Sequence, residues 1–280
     1  MIELAPNHKS GLPVTNPILL AGCMIGYGEA LHSGVATAQW GGVVVGPVRL
    51  QGRGSAAGPR LARLPGGFVL EPGVQSRGVY AVVRQYAALW PRLGCPVIAQ
   101  LADEEPDSLG KVAERLNGVV ALSGLELLLP RRAEPEQVRR MVRAVTRDND
   151  LPVWVKPSLE SAVTLAPAAV EAGAVGVVVG QPPLGAAQLA EHGGAPLVGP
   201  LFGPLTFAVM LPTLLEVGQL GLGCALIACG GIYTMGQAQQ ALAAGAHAVQ
   251  IDAAVWVEPG LPARLAQQWA NSQSPQSLST

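Results

Sequence analysis

The sequence predicts an α/β fold, a (β/α)8 TIM barrel, with residues 1–270 forming one domain. Eight short apolar runs recur along the chain with helical stretches between them, and continuous apolar runs are typical of parallel strands covered on both faces. A chain of 280 residues, 49% of them hydrophobic, has enough apolar side chains for one barrel-sized core. Eight strands are also the number that such a barrel requires.

The predicted strands are the apolar runs themselves. In chain order they are Pro17–Cys23, Gly42–Gly46, Val97–Leu101, Leu125–Leu129, Val153–Lys156, Gly176–Gly180, Ala225–Cys229 and Ala248–Asp252. An open doubly wound sheet is the alternative architecture. It would place a glycine-rich fingerprint after the first strand, and it usually has fewer strands.

Helices are predicted between these runs. The clearest follows the acidic start at Glu134 and Glu136, where apolar residues recur with the spacing of one helix face: Val138, Met141, Val142 and Val145. Further helices are expected at 28–40, 78–93, 104–117, 160–172, 205–219, 235–244 and 261–270.

Two long connections, Pro47–Gly78 and Gln181–Pro204, follow predicted strands and are rich in Gly and Pro. In a barrel, such connections lie at the carboxyl face where sites are built, so they are candidate lid and substrate loops. Residues 271–280 are rich in Ser and Gln and are predicted to be a flexible tail.

Charge and composition limit the classes of partner that the chain can be expected to bind. The net charge of −1 gives no basic footprint for nucleic acid or an anionic membrane, and no apolar stretch is long enough to cross a bilayer. The chain opens without the regions of a signal peptide, so a cytoplasmic location is expected. The four cysteines form no C-x-x-C pair and no cluster with histidine, which favours free, mostly buried thiols over a metal site or disulfides.

The last two runs carry a pattern typical of phosphate-binding barrels. The run Leu226–Ile232 contains Gly230-Gly231, and Gly245-Ala246 precedes the next run after about ten residues of helix. Glycines at a strand end let backbone N–H groups approach a phosphate, and a following short helix can point its N-terminus at it. The pattern indicates descent from a binder of a phosphorylated cofactor.

The order of motifs resembles the dihydroorotate dehydrogenase family, flavin-dependent barrels that oxidise dihydroorotate to orotate in pyrimidine biosynthesis. The resembling segments run through most of the chain: Asn16-Pro17-Ile18-Leu19-Leu20-Ala21-Gly22, Gly58-Pro59-Arg60-Leu61, Pro65-Gly66-Gly67, Pro152-Val153-Trp154-Val155-Lys156-Pro157, Phe202-Gly203-Pro204 and the glycine segments above.

The resemblance implies an FMN site. Ala21 and Gly22 would lie along the isoalloxazine, and Lys156 would contact its N1/O2 edge. Glycines 203, 230 and 231 would make room for ribityl and phosphate. Lys156 is one of three lysines, and it ends an apolar strand. Its alternative role is an ion pair with Glu126 on the preceding strand. A cation at that place can stabilise negative charge on a reduced flavin.

Most substrate and catalytic positions of the family are altered. The strand-end lysine is replaced by Gly46, and orotate-binding asparagines would align with Leu70, Ser76, Leu128 and Gly180. Gln100 is the conservative replacement at another asparagine position and is the candidate substrate contact. The loop expected to supply a Cys or Ser base reads Leu129-Pro130-Arg131-Arg132-Ala133.

The phosphate end is altered too, since the family's Gly-Thr pair reads Asp252-Ala253. A carboxylate there repels phosphate, unless Asp252 faces a helix instead.

Other catalytic candidates are weaker. Asp103, Glu104, Glu71 and His192 lie near predicted strand ends or in the sixth connection, where solvated loop residues are the main alternative to acid–base work. Cys23 and Cys229 end strands without a visible activating base.

Three functions therefore remain open, and no catalytic residue and no metal ligand is assigned. The first is an FMN-dependent oxidoreductase of dihydroorotate dehydrogenase type, with doubtful dihydroorotate activity. The second is a catalytically degenerate barrel that acts as a non-enzymatic subunit or regulatory partner, and the third is a barrel enzyme for another phosphorylated small molecule. A small-molecule ligand is expected in each case, with a homo-oligomer or a partner subunit as the candidate assembly.

Overall fold

The computed structural model describes residues 1–31, 37–188 and 195–273. Over these ranges the strands are β1 (Ile2–Glu3), β2 (Pro13–Val14), β3 (Ile18–Leu20), β4 (Gly42–Val48), β5 (Leu61–Leu64), β6 (Gly67–Leu70), β7 (Val97–Leu101), β8 (Leu122–Leu128), β9 (Val153–Lys156), β10 (Gly176–Val179), β11 (Leu184–Ala187), β12 (Leu197–Phe202), β13 (Ala225–Cys229) and β14 (Ala248–Ile251). The α-helices are α1 (Val79–Tyr86), α2 (Pro106–Leu116), α3 (Pro135–Thr146), α4 (Ala162–Glu171), α5 (Thr206–Gln219), α6 (Met235–Ala243), α7 (Ala254–Val257) and α8 (Leu261–Gln273).

Eight of these strands close into a parallel barrel, which confirms the predicted fold class. Around the barrel the order is β3, β4, β7, β8, β9, β10, β13 and β14, and β14 pairs with β3. Each barrel strand overlaps one of the predicted apolar runs, and nearly all of their residues are buried. Because neighbours follow chain order, strands four places apart lie on opposite sides: β4 faces β10, and β8 faces β14.

Side-chain alternation along the strands divides the barrel interior into layers. Trp154 and Lys156 are two residues apart on β9, so both point inward at different depths. The Trp154 ring lies against Gly124 and Gly176 on the two adjacent strands, where a Cβ would come within 2.3 and 2.5 Å of the ring. The Trp154 ring thus occupies the space beside β8 and β10 nearer the amino end, and Lys156 lies at the carboxyl end of β9.

The amino end of the barrel is covered by the N-terminal hairpin of β1 and β2. Leu4, which follows β1, is fully buried, and its carbonyl accepts the indole N–H of Trp154 at 2.8 Å. The carboxyl end is therefore the face that remains for a site.

The predicted helices were found with shorter or shifted bounds. Helix 78–93 stops at Tyr86, and a 3-10 turn at Trp90–Leu93 follows with Pro91 near its start. Of helix 28–40, the structure describes a 3-10 turn at Thr37–Gln39, and residues 32–36 lie outside the described ranges. Helix α8 extends to Gln273, and residues 274–280 are not among those described, so the flexible tail stays a prediction, as does the single domain over 1–270.

The two long connections contain strands that the sequence did not predict. Strands β5 and β6 of the first connection and β11 and β12 of the second form one antiparallel sheet in the order β11-β12-β6-β5, which we call the roof sheet. The connections leave β4 and β10, on opposite sides of the barrel. They meet through β12 and β6, where Phe202 pairs with Phe68.

The roof sheet is attached to the barrel by aromatic packing. Phe68 and Phe202 stack with ring centroids 5.4 Å apart, and the Trp256 ring of α7 lies 6.0 and 6.1 Å from them. The Trp256 indole N–H also donates to the Met24 carbonyl at 3.0 Å. Because α7 follows β14 and Met24 follows β3, the roof sheet contacts the carboxyl end of the barrel.

Within the described ranges, none of the helices has both the length and the apolar composition needed to cross a membrane.

Closure between β10 and β13 requires a glycine at 180. Gly180 has a φ of +141°, and a Cβ there would lie 1.7 Å from the Cys229 carbonyl oxygen. We expect Gly180→Ala to lower the free energy of unfolding by about 3 kcal/mol or more, since overpacking and backbone strain add. Urea unfolding measures this.

Gly54→Ala is the matched control, because a Cβ added at Gly54 would meet no atom within 4 Å and the residue has no positive φ. Equal effects of the two substitutions would contradict the described contact at Gly180.

Candidate functional site

A cavity of about 420 Å³ lies between the carboxyl end of the barrel and the roof sheet. Every barrel strand contributes to its wall, at or just after its carboxyl end, through Ala21 and Gly22 (β3), Arg49 (β4), Gln100 (β7), Leu128 (β8), Lys156 (β9), Gln181 (β10), Cys229 (β13) and Asp252 (β14). The roof side adds apolar residues, among them Leu70, Pro200, Phe202 and Trp256. Four of the seven predicted site residues line this cavity, namely Ala21, Gly22, Gln100 and Lys156.

The floor of the cavity is a buried polar network around Glu126. Its Oε1 accepts from Gln100 Nε2 at 2.7 Å, and its Oε2 accepts from Gln250 Nε2 at 2.6 Å. Lys156 Nζ lies 3.8 Å from Glu126 Oε1 and donates to Gln250 Oε1 at 2.9 Å. All four residues are at most 4% exposed. The ion pair with Glu126 that the sequence left open as a role for Lys156 is therefore present.

The charge on Lys156 is balanced within this network. Burial lowers the pKa of Lys156, but its neighbours Cys229 and Glu126 more than offset this, and the net direction is upward. Since Cys229 is itself protonated at neutral pH, as described next, Glu126 supplies the balancing negative charge. The ammonium group is thus held charged, but it is already paired.

The two cysteines at strand ends are weak nucleophiles here. Burial raises the pKa of the Cys229 thiol to about 12. Cys23 lines the cavity, and desolvation raises the pKa of its thiol to about 11. Cys229 accepts from Lys156 Nζ at 3.3 Å, and Cys23 donates to Gln100 Oε1 at 3.3 Å. Thiols with such pKa values are protonated at neutral pH.

Gln100, the candidate substrate contact, is engaged within the protein. Its amide nitrogen is bonded to Glu126 and its oxygen to Cys23. The side chain also lies directly against Gly22, where a Cβ would come within 2.6 Å of Gln100 Nε2. Gln100 therefore helps to build the floor of the cavity.

Asp252 accepts hydrogen bonds from backbone N–H groups that follow β13 and β14. Its carboxyl group, 3% exposed, accepts from the backbone N–H groups of Gly231 and Ala254. Burial raises the pKa of Asp252, while Lys156 and these N–H groups act in the opposite direction. The acceptor that occupies the N–H groups after β13 and β14 is thus a side chain of the protein itself.

The three predicted phosphate-side glycines lie outside the wall of the cavity that the described residues form. Next to Gly231, the space is filled by the start of α5, since a Cβ would lie 2.3 Å from the Phe207 nitrogen and 2.8 Å from Thr206 Oγ1. Gly203 lies against Gly66, with its Cβ position 2.4 Å from the Gly66 carbonyl oxygen. Gly230 has more room, with Thr206 Oγ1 at 3.8 Å.

The backbone strongly favours glycine at two positions that the family resemblance assigns to substrate contacts. Gly46 has a φ of +122°, and its Cβ position is 3.0 Å from the Gln100 carbonyl oxygen. Gly180 is even more restricted, as described above. A lysine at 46 or an asparagine at 180 would need a different backbone, because left-handed conformations strongly favour glycine.

The loop after β8 places an arginine where the family resemblance leads us to expect a base. Arg131 lines the cavity, and its Nη2 donates to the Pro182 carbonyl at 2.5 Å, across to the segment after β10. An arginine stays protonated and cannot accept a proton. Sequence reasoning did not assign Arg131, Gln181 or Gln250 to the site. A polar residue inside an apolar run, as at Gln250, was the signal available.

The weaker acid–base candidates do not converge. Asp103 pairs with Arg49 at 3.1 Å and accepts the Leu50 N–H at 2.6 Å. Glu71 and Glu104 line the cavity, and Glu71 accepts the Gly73 N–H at 2.8 Å. His192 lies outside the described residues. Across the described ranges, no group of three or more His, Cys, Asp or Glu side chains is placed to hold a metal ion.

A closed (β/α)8 barrel with a cavity at the carboxyl ends of its strands is the architecture of barrel enzymes. The chain belongs to the dihydroorotate dehydrogenase family, whose model matches residues 7–271. This confirms the family resemblance read from the sequence.

Similar proteins support the same family. The catalytic subunit of dihydroorotate dehydrogenase B (NAD(+)) from Desulforudis audaxviator is 32% identical over 272 residues, covering 92% of this chain and 88% of that protein. The corresponding subunit from Solidesulfovibrio magneticus is 28% identical, covering 92% and 89%. The structure of dihydroorotate dehydrogenase from Eimeria tenella in complex with ferulenol has the same fold, with a TM-score of 0.76 at 19% identity over 91% of this chain and 81% of that chain.

The buried network predicts a specific pattern of stability. Glu126→Gln leaves the Lys156 ammonium buried without its anion, so we expect the free energy of unfolding to fall by about 3–5 kcal/mol at neutral pH. The loss should shrink as the pH rises, because a deprotonated lysine needs no anion. Adding Lys156→Met to Glu126→Gln should recover most of the loss.

Urea unfolding of the single and double variants measures these effects. Asp150→Asn, which breaks the exposed pair with Lys9, is the control and should leave the midpoint unchanged. If the double variant is as unstable as Glu126→Gln alone, Lys156 and Glu126 are not coupled.

Proposed function

We propose that this chain is a catalytically degenerate member of the dihydroorotate dehydrogenase family, which keeps the barrel and its cavity and acts as a ligand-binding, non-enzymatic subunit or regulatory partner. The observation that carries the proposal is the position of Asp252. Its carboxyl group accepts the N–H groups of Gly231 and Ala254, at the strand ends where the resemblance implies a cofactor phosphate.

FMN does not fit the phosphate end of this site. An ionised Asp252 would oppose a phosphate by about 4 kcal/mol per pair of unit charges at roughly 4 Å and an effective dielectric constant near 20. A protonated Asp252 would still occupy the same N–H groups. Thr206 and Phe207 also fill the space beside Gly231. Both features argue against a bound phosphate, whatever the protonation state of Asp252.

The substrate half supports the same proposal. Oxidation of dihydroorotate needs a base that removes the C5 proton, and the expected loop presents Arg131 to the cavity. The strand-end lysine is replaced by Gly46, where the backbone disfavours any side chain. Lys156, the remaining cation of the family pattern, is neutralised by Glu126.

An FMN-dependent oxidoreductase of dihydroorotate dehydrogenase type is the second candidate. Ala21, Gly22 and Lys156 line the cavity together, as an isoalloxazine site would require. The relatives named above are also dehydrogenases. An enzyme for another phosphorylated small molecule is a weaker third candidate, because Asp252 opposes any phosphate at that position.

A partner subunit fits the proposed role. The similar bacterial proteins are named as catalytic subunits, which implies that they assemble with other chains. We propose that this chain likewise works in the cytoplasm in contact with a partner protein and not as an isolated enzyme.

The phosphate end gives a direct test. FMN should not bind the unaltered chain, which should therefore be colourless after purification and after supplementation. The double replacement Asp252→Gly and Ala253→Thr should raise FMN affinity, because it frees the N–H groups of Gly231 and Ala254 and removes a carboxylate. Titration of FMN fluorescence measures both proteins.

Ala253→Thr alone is the control, since it adds the hydroxyl while Asp252 stays in place. Tight FMN binding by the unaltered chain would contradict the proposal and support the second candidate, the FMN-dependent oxidoreductase.

Dihydroorotate turnover provides a separate prediction. We expect no detectable oxidation by the purified chain, even with FMN added, because loss of a general base alone costs roughly 10²–10⁴-fold in rate. An assay that follows orotate formation measures it. An active dihydroorotate dehydrogenase assayed in parallel is the positive control. If this chain matched its rate, another group would have to act as the base.

A further inference from the structure

Charged residues are distributed unevenly along the chain. Residues 172–251 contain two of them, Glu191 and Glu216, whereas residues 92–171, a segment of the same length, contain 22. Helices α5 and α6 belong to the segment with two charges, and α2 and α3 belong to the segment with 22. The helices around the barrel therefore differ in the surface that they present to water.

The outer faces of α2 and α3 have the composition that is usual for helices in contact with water. Every exposed side chain of these two helices is charged: Asp107, Lys111, Glu114 and Arg115 on α2, and Glu136, Arg140 and Arg143 on α3. Charged residues opposite the buried face are typical of the surface helices of globular proteins. The two helices thus provide a comparison for α5 and α6 within one molecule.

The outer surface of α5 and α6 is uncharged except at Glu216. Leu205, the residue before α5, is 73% exposed, and Val209 and Leu215 are 51% and 45% exposed. The other exposed residues from 205 to 220 and on α6 are apolar, glycine or amides: Ala208, Pro212, Gly218, Gln219, Leu220, Gly236, Gln239, Gln240 and Ala243. We call this surface, from Leu205 to Leu220 and across α6, the α5–α6 face.

The apolar residues of the α5–α6 face form a stripe. Leu205, Val209 and Pro212 follow one another at the spacing of helix turns, so they lie side by side on the outer side of α5. The barrel side of the same helix is occupied by a separate set of buried residues: Phe207, Met210, Leu214 and Val217. Helix α5 is therefore apolar on both sides, and a contiguous apolar surface on the outside marks an interaction site.

The α5–α6 face is large enough for a dimer interface. The 14 residues of α5 span about 21 Å at about 1.5 Å per residue. Helices α4, α5 and α6 pack side by side, at a typical distance of roughly 10 Å. Two such faces in contact would bury roughly 1,000 Å² in total, which is the lower limit for a specific protein–protein interface.

The distribution of charge favours a second copy of the chain as the occupant. A partner with a charged surface would lose the hydration of its charges against the α5–α6 face without gaining ion pairs there. In an isologous dimer the same face meets itself, so an uncharged surface covers an uncharged surface. Glu216 does not oppose this, because a two-fold axis near Val209 places the two Glu216 residues about 20 Å apart along antiparallel helices.

We propose that two copies of this chain associate through their α5–α6 faces, about a two-fold axis near Val209. Because the helices lie on the outside of the barrel wall, the dimer leaves both cavity mouths and both roof sheets open. The inference does not rest on the proposed function, since it uses no residue of the cavity, and the result of the FMN titration does not alter it.

Sedimentation velocity of the full chain tests the association. Between about 1 and 100 µM we expect a concentration-dependent species with twice the mass of one chain, because an interface of this size corresponds to a roughly micromolar dissociation constant. Raising the NaCl concentration from about 0.05 to 0.5 M should not weaken it, since screening acts on charges that the interface lacks. A single-chain mass throughout this range would overturn the proposal.

Matched substitutions locate the interface. Val209→Glu should weaken the dimer about a hundredfold or more, because the two-fold axis brings both introduced carboxylates together in an apolar contact. Val120→Glu is the control: Val120 is fully exposed on the loop before β8, and its replacement should leave the dimer unchanged. A dimer that survives Val209→Glu, or one that both substitutions weaken equally, would show that another face pairs and would overturn the proposal.

Far-UV circular dichroism checks that each variant is folded. If Val209→Glu does not fold, Leu205→Glu decides the question, because Leu205 is the more exposed residue and a carboxylate is favourable at the start of a helix. Leu205→Glu should also weaken the dimer, by about tenfold or more. An unchanged dissociation constant for a folded Leu205→Glu variant would then overturn the proposal.

Discussion

The buried pairing of Glu126 with Lys156 is the constraint on which the carboxyl end of the barrel depends. A carboxylate and an ammonium group removed from water are tolerated only with a close partner and satisfied hydrogen bonds, and Gln100 and Gln250 provide these from two further strands. The network ties together β7, β8, β9 and β14 at one level. The cavity floor is therefore rigid and close to neutral, which leaves its recognition properties to the residues of the loops above it.

The backbone restricts which side chains can stand at the carboxyl end of the barrel. Gly46 and Gly180 adopt positive φ angles in tight surroundings, so a side chain at either position would need a different backbone. Asp252 places a buried carboxyl group, whose pKa is raised by burial, on the N–H groups of Gly231 and Ala254. These three residues lie at or near the strand ends where the family resemblance implies substrate and phosphate contacts.

Most of the barrel could be predicted from the sequence, because buried parallel strands leave continuous apolar runs that contain little else. The roof sheet could not, since β5, β6, β11 and β12 are four to six residues long and partly exposed, and the pairing of β6 with β12 joins distant segments. At the site, Lys156 stood out as a charge ending an apolar run. Arg131 and Gln181 did not, because only the three-dimensional structure shows that their polar atoms are buried and lack partners among the described residues.

The roof sheet joins segments that leave opposite sides of the barrel, with four barrel strands between them in sequence. Strands β6 and β12 can pair only when these segments have been brought together, because the closure of so long a loop has an entropic cost, whereas β5–β6 and β11–β12 are local pairs. The hydrophobic cluster of the roof sheet itself is small, with Ala62, Val69 and Ala187 as its buried residues, so we expect local opening of the roof to cost less free energy than opening of the barrel. Local opening of this small sheet would widen access to the cavity while the barrel beneath stays intact.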